Sequence, residues 1–464
     1  MQQETDYLVV GCGASAMTFV DVMLRETKAT FTIIDKHHAP GGHWNDAYPF
    51  VKLHQPSASY GVMSQTLGKG RIDETGFNAG YYELASGVEV LRHFHVAMED
   101  VFLPSGRVSY HPMSEYLGDG IYASLLSGKK ERITIKKKLI DATQLQTSVP
   151  LTHERKFEVS EGVPVIPPNH LPRLATDHHH FMILGGGKTG IDTVCWLLAQ
   201  GTPPDAISWV IPRDPWMLNR ESYQPGESFF FGSIGRHANF LEIGATSQSI
   251  KEVCERLEKD AYLFRLDPNV WPEMMHGATV TVRDLDHMRM IKNIIRLGHV
   301  KHIKPDQVIL EKGNIASVEN TLYIDCTARA ISKESYDDHP VFGPDKISLK
   351  MIRLYQPCFS SALTAHLEAG DYDREEKKRM TQPTPMTDTI EDWLTVFITS
   401  MTNGYFWGQN PAIKTWLADC RLDGFGKSMR LVQPDDLEKI AVLERMTELS
   451  PPAMQNLTKL LAVA

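Results

Sequence analysis

The chain has 464 residues, 42% of them apolar and 23% charged, so it is long enough for two or three domains and too apolar to stay unfolded. Its 48 Lys and Arg against 57 Asp and Glu leave a net charge of −9, which argues against a nucleic acid or an anionic membrane as the main partner. Six cysteines, at 12, 195, 254, 326, 358 and 420, include no Cys-x-x-Cys pair and fit free thiols in a reducing, cytoplasmic setting. The start, Met-Gln-Gln-Glu-Thr-Asp, has no basic segment of a secretory signal. The longest uncharged stretch, Trp393 to Ile413, is too polar and broken to span a bilayer.

Tyr7-Leu-Val-Val10 is a short β run, followed by Gly11-Cys-Gly13-Ala14-Ser15-Ala16 and a helical pattern with Met17, Val20, Met23 and Leu24 on one side. Strand, glycine turn and helix is the arrangement of a dinucleotide-binding unit. Its first glycine makes the turn, its second admits a pyrophosphate to the backbone, and its third position, here Ala16, must be small. The helix N-terminus favours the negative charge. Phe31-Thr-Ile-Ile34 reads as the next strand and ends in Asp35, whose carboxylate suits a ribose without a 2′-phosphate, as in FAD or NAD.

Pro164, Pro167, Pro168 and Pro172 mark a crossing out of this first unit. His178-His-His180 stands at a strand start, where neighbouring side chains alternate faces, and no ligand set surrounds it, so no metal site is expected. Phe181-Met-Ile-Leu184 then leads into Gly185-Gly-Gly187-Lys188-Thr189-Gly190 and a helix from Ile191 to about Ala199. The following strand, Ile207 to Ile211, ends at Pro212-Arg213. A guanidinium there is placed to grip the 2′-phosphate of NADP, with Lys188 and Thr189 adding to the site; the alternative is a solvated strand end.

Periodicity predicts helices at 249–258 and 284–297. Beyond them come a strand at Ile352 to Tyr355, a helix at 359–368 opened by Gln356-Pro357, and an exposed loop over 370–389. Two last helices are expected at 435–449 and 453–461. Two glycine turns 174 residues apart suggest one nucleotide domain interrupted by another: residues 1–175 and 318–464 for FAD, and 176–317 for NADPH. The fold class is α/β, with two Rossmann-like dinucleotide-binding domains, the second inserted in the first.

After Asp35 comes Lys36-His-His-Ala-Pro-Gly41-Gly42-His43-Trp44. An acid, a short spacer and Gly-Gly-x-Trp resemble the flavin-containing monooxygenase and Baeyer–Villiger monooxygenase group. Tyr48-Pro49 leading to His54-Gln55, Arg213-Asp-Pro-Trp216 followed by Arg220, and Thr321 to Ala328 are similar to later landmarks of that group. Together the landmarks cover residues 5–60, 180–221 and 318–330. There are departures. The Phe-x-Gly-x-x-x-His fingerprint is not readable in Pro164 to His180, His54 stands in place of Asn or Asp, and Ala328 in place of Gly.

The resemblance implies FAD and NADPH as cofactors and a monooxygenase that puts one oxygen atom of O2 into a small organic substrate through a peroxyflavin. It puts His54 at the place beside the flavin ring, where the imidazole would donate a hydrogen bond or shuttle a proton near neutral pH, the alternative being a histidine satisfied in the core. Trp44 is a candidate wall for one face of the flavin or a core aromatic, Gln55 a bond to the flavin edge or a loop cap, and Asp325 a carboxylate near the ribityl chain or a strand end. Gly11, Gly13, Ala14, Ser15, Ala16, Asp35, Lys36, Gly42 and His43 would form the first cofactor surface. Gly185, Gly187, Lys188, Thr189, Gly190 and Arg213 would form the second. An NADPH-dependent flavin reductase or dehydrogenase without oxygen transfer, and a non-catalytic nucleotide-binding flavoprotein, remain as alternatives. Substrate and O2 are the expected partners, with no nucleic acid and no membrane span; the oligomeric state is open, a homodimer included.

Overall fold

The structure, a computed structural model, describes residues 3–145, 148–328 and 339–463. Residues 329 and 330 of the expected 318–330 landmark fall outside them. The run at Tyr7 forms β1 (Gln3–Val10), and the turn after it opens α1 (Ala14–Glu26). Then come β2 (Phe31–Ile34), β3 (Val108–His111) and β4 (Lys130–Asp141). A second series follows: β5 (Val165–Ile166), β6 (His180–Leu184), α2 (Lys188–Ala199), β7 (Ile207–Val210), β8 (Asn293–Ile295) and β9 (Thr321–Asp325).

These strands build two parallel five-strand arrays that match position for position. One runs β3-β2-β1-β4 and is completed by β10 (Lys346–Ser348) on β4; the other runs β8-β7-β6-β9-β5. An antiparallel hairpin, Ser114–Gly118 and Ile121–Ser124, widens the first array along the start of β4. Parallel strands are covered on both faces, which is why β2, β7 and, after His180, β6 are runs of apolar or small residues, and all three strands are buried at every position. Helix α1 is buried from Ala14 to Leu24 because it is sandwiched between its own sheet and α3 (Pro357–Ala369). Met17 and Phe19 in it are fully buried, each worth about 1.5–3 kcal/mol relative to exposure.

Several expectations are corrected. The helix placed over 284–297 stops at Met288, and Asn293–Ile295 is β8, because its β-branched Ile294 and Ile295 pair beside β7. Ile352 to Tyr355 is no strand: the Ile352 and Arg353 N–H groups donate to the Ser360 hydroxyl at 3.0 and 3.2 Å, and Tyr355 turns to φ +56°. The stretch 370–389 contains a helix, Arg374–Met380, begun by an Asp373/Glu376 capping box, and buries Thr381, Thr384 and Thr387. Helix α4 (Ile390–Gln409) follows it. The last two expected helices are one, α5 (Leu437–Leu461), which continues through Pro451-Pro452. Both prolines face outward, so water can take the two carbonyls they leave unbonded, and the Ser450 hydroxyl bonds the Met446 carbonyl at 2.6 Å.

Glu158–Val159 pairs with Val300–Ile303 in a separate four-stranded sheet, and β5 pairs with β9 in the second array. Thr321–Asp325 stays in that array, and among the described residues after it Lys346–Ser348 is the strand that joins the first sheet. Among the described residues no helix is long and apolar enough to cross a membrane.

Candidate functional site

At the first turn Gly11 has φ +96° and donates its N–H to the Ile34 carbonyl at 2.8 Å, a bend only glycine makes without strain. The Gly41-Gly42 segment folds back over it. Gly41 N–H bonds the Cys12 carbonyl at 2.8 Å, and a Cβ on Gly42 would stand 2.9 Å from the Gly13 Cα. Two glycine stretches thus touch backbone to backbone. Ala14 and Ser15 are in the buried first turn of α1, whose N-terminus has no side-chain cap, and Ala16 is fully buried, as close helix packing requires.

Asp35 closes β2, 6% exposed. One oxygen accepts the Cys12 N–H; the other accepts the His37 N–H at 2.6 Å and meets its Nδ1 at 2.9 Å. The same imidazole reaches Asp46 at 3.0 Å through Nε2. Held between two carboxylates, with the hydrogen bond to Asp35 the largest cause, His37 is pushed up to about 9. That exceeds the ordinary 6.5, so the bridge stabilises the fold in full below about pH 6.5 and is lost as pH rises through about 9. Melting temperature should therefore fall across that window, and His37→Gln should flatten the slope; parallel profiles would remove the bridge from the account.

Lys36 pairs with Glu115 at 2.9 Å on the surface, 66% exposed. His43 stacks on Trp44 with ring centres 5.4 Å apart, and burial, reinforced by the nearby His37, lowers it to about 4. Trp44 is 8% exposed and its indole N–H donates to the Tyr60 hydroxyl at 2.9 Å.

The second turn repeats the first. Gly185 has φ +119°, and a Cβ on it would come within 2.6 Å of the Cys326 carbonyl; one on Gly190 would collide with the Gly185 carbonyl. At Gly187 a Cβ would meet nothing within 4 Å. Lys188 pairs with Asp192, which also accepts the Tyr48 hydroxyl at 2.7 Å and so ties the turn helix to the first unit. Thr189 gives its carbonyl to Thr193 at 2.8 Å. Arg213 places two guanidinium nitrogens on Asp388, at 2.8 and 3.1 Å.

His54 lies in a cationic setting between the two units. Burial, then the charges of Lys188 and Arg220, lower it well below the ordinary imidazole value, opposed by a bond to the Gly277 backbone. It is a neutral imidazole at neutral pH, suited to donate or accept one hydrogen bond, so the expectation of a proton shuttle near pH 7 gives way to that role. Gln55 bonds the Tyr355 carbonyl at 3.4 Å. Arg220, 5% exposed, bonds Asp284, Asn78 and the Thr279 carbonyl at 3.0–3.3 Å, while its Nε has no hydrogen-bond partner among the described residues.

No family model matches the chain. The uncharacterized protein Rv2000 of Mycobacterium tuberculosis (strain ATCC 25618 / H37Rv) is 39% identical over 420 residues, covering 90% of this chain and 78% of that protein. The same figures hold for the uncharacterized protein Mb2023 of Mycobacterium bovis. The chain belongs to the family of these mycobacterial proteins. Among solved structures, the chain of this mycobacterial-type family is similar to a flavin-containing monooxygenase from Stenotrophomonas maltophilia, with 14% identity over 79% of this chain and 98% of that one and a TM-score of 0.45. An open crystal structure of cyclohexanone monooxygenase gives 12% identity over 96% and 98%, with a TM-score of 0.49.

Asp325 sits in the second sheet, opposite Leu184, and not beside the first turn. It accepts Thr327 N–H at 3.0 Å and the Thr327 hydroxyl at 2.6 Å, and meets His153 at 3.1 Å. Its counterpart by the first turn is Asp141, opposite Val10, which holds Thr143 in the same way at 3.0 and 2.7 Å. Sequence reasoning missed Asp141 and Thr143, although the signal was present as the shared pattern Asp141-Ala-Thr143 and Asp325-Cys-Thr327. It also missed Asp388, whose contact with Arg213 no local pattern encodes. All six cysteines are free and buried, and burial pushes Cys12 and Cys326, next to the two turns, well up in pKa. His180, a member of the histidine run, is spent on Thr321 and Ser208 at 3.0 and 3.2 Å.

Proposed function

We propose that the first unit binds FAD, the second binds NADPH, and the chain uses both to place one oxygen atom of O2 on a small organic substrate. The observation that carries this is the duplicated strand–glycine turn–helix–strand unit, closed by a buried acid at Asp35 in one copy and by Arg213 in the other. The residues fit the two nucleotides. The open space at Gly187 and the uncapped start of α2 suit a pyrophosphate. The stacked glycines at 13 and 42 keep side chains out of the first cradle.

Bound together, the two cofactors supply the hydride, the electrons and the oxygen chemistry. The chain supplies the rest. Trp44, locked by Tyr60, would wall one face of the flavin; His54 offers an uncharged hydrogen bond under the field of Lys188 and Arg220; Asp192 and Tyr48 fix Lys188 between the units. All six cysteines are free, so no protein disulfide stands to receive the electrons.

The test is to feed the FAD-loaded chain NADPH and O2 with small ketones, sulfides and amines, and to compare NADPH consumed with hydrogen peroxide released. Oxygenated product with peroxide well below NADPH supports the proposal; peroxide matching NADPH throughout favours the reductase. His54→Ala should retain FAD but raise the peroxide share several-fold, a loss typical of one positioned hydrogen bond. Unchanged coupling would take His54 out of the site.

A further inference from the structure

Arg213 is not an idle surface cation. Its backbone abuts the second glycine turn, since a Cβ on Gly186 would lie 3.3 Å from the Arg213 carbonyl. Its guanidinium presents two nitrogens to the two oxygens of Asp388, at 2.8 and 3.1 Å, the planar paired geometry with which arginine also takes phosphate. His276 adds a third contact to the same carboxylate at 2.8 Å. Arg213 first, and His276 with it, hold that carboxyl well below the usual carboxylate range.

Asp388 is fixed from behind. Its carbonyl accepts the Met275 N–H at 2.8 Å, and its own N–H donates to Asp392 at 3.0 Å, just ahead of the Thr389 cap of α4. Both side chains of the pair remain about a quarter exposed, at 27% and 26%, so a ligand arriving at the turn can reach them. An anion of this chain therefore fills the arginine fork at the end of β7, where the ribose of the second nucleotide is read.

We infer that Asp388 is a built-in competitor for the 2′-phosphate at Arg213, and so sets how strongly the chain discriminates NADPH from NADH. This rests on the nucleotide reading of the second turn. A 2′-phosphate must displace the carboxylate or bind against its charge, whereas a nucleotide without that phosphate leaves the Arg213–Asp388 pair intact. Asp388 is thus a specificity-determining residue, and its removal acts on one nucleotide only.

The experiment measures calorimetric binding of 2′,5′-ADP and 5′-AMP to the full chain, to Asp388→Asn, and to Asp388→Ser as a second variant should the first fold poorly. The Kd for 2′,5′-ADP should fall about tenfold or more on losing the competing charge, with 5′-AMP moving by less than about twofold. Arg213→Ala in the same background should erase the gain. An unchanged ratio of the two affinities, or equal shifts for both ligands, overturns the inference while leaving the second site in place. Binding of neither ligand to any form overturns the reading of the second site, and the inference with it.

Discussion

Asp35→Asn is expected to leave purification nearly free of FAD. The carboxylate is the buried end of β2, and its ionised oxygens are the groups that two ribose hydroxyls would bond. Charge-assisted bonds of this kind are worth about 1.5–3 kcal/mol each, so losing two weakens binding by roughly a hundredfold or more. The amide keeps the volume but cannot accept at both ends. It also disturbs the Cys12 and His37 contacts, at a stability cost of about 1–3 kcal/mol. Measuring FAD affinity and melting temperature on the same sample separates the two effects. A variant that melts lower yet retains full flavin would place the ribose elsewhere.

The second large effect distinguishes two glycines three residues apart. Gly190→Ala drives a methyl into the Gly185 carbonyl, where helix and strand are in backbone contact and neither can yield. Overpacking of that sort costs about 1–3 kcal/mol, less a few tenths returned by alanine's better helix propensity. Gly187→Ala meets open space and an ordinary φ of −80°, so folding is spared. The methyl then occupies the room meant for the pyrophosphate, and NADPH affinity should fall about tenfold or more at unchanged melting temperature, the loss of one to two charge-assisted backbone contacts. Equal behaviour of the two variants in melting and in NADPH titration would contradict the assignment of the turn.

The parts of the fold legible in the sequence are those fixed by adjacent residues. Gly11, Gly13, Gly185 and Gly187 sit between apolar strands and apolar helices, and Asp35 and Arg213 mark the ends of the next strands, all within about 30 residues. What was not legible depends on distant neighbours. Asn293–Ile295 reads as helix by spacing and becomes a strand only because β7 offers it an edge. Pro451-Pro452 reads as a break, but Ala453 and Leu457 bury against the helix at Arg236–Thr246, and the long helix continues. The sheet that Asp325 joins was not legible either, because the strand it ends is chosen by pairing with β6, while Lys346–Ser348 pairs with β4 in the first array. Asp388 lies 175 positions from Arg213, and nothing around it in the sequence marks it as that arginine's counter-ion.

An anaerobic titration of the FAD-loaded chain with NADPH, followed by flavin absorbance, tests whether the two nucleotides meet in this chain. One equivalent of NADPH per bound flavin should bleach it, and Gly187→Ala should need much more to reach the same end point. A chain that takes up no FAD, or a bound flavin that NADPH leaves oxidised, would contradict the account.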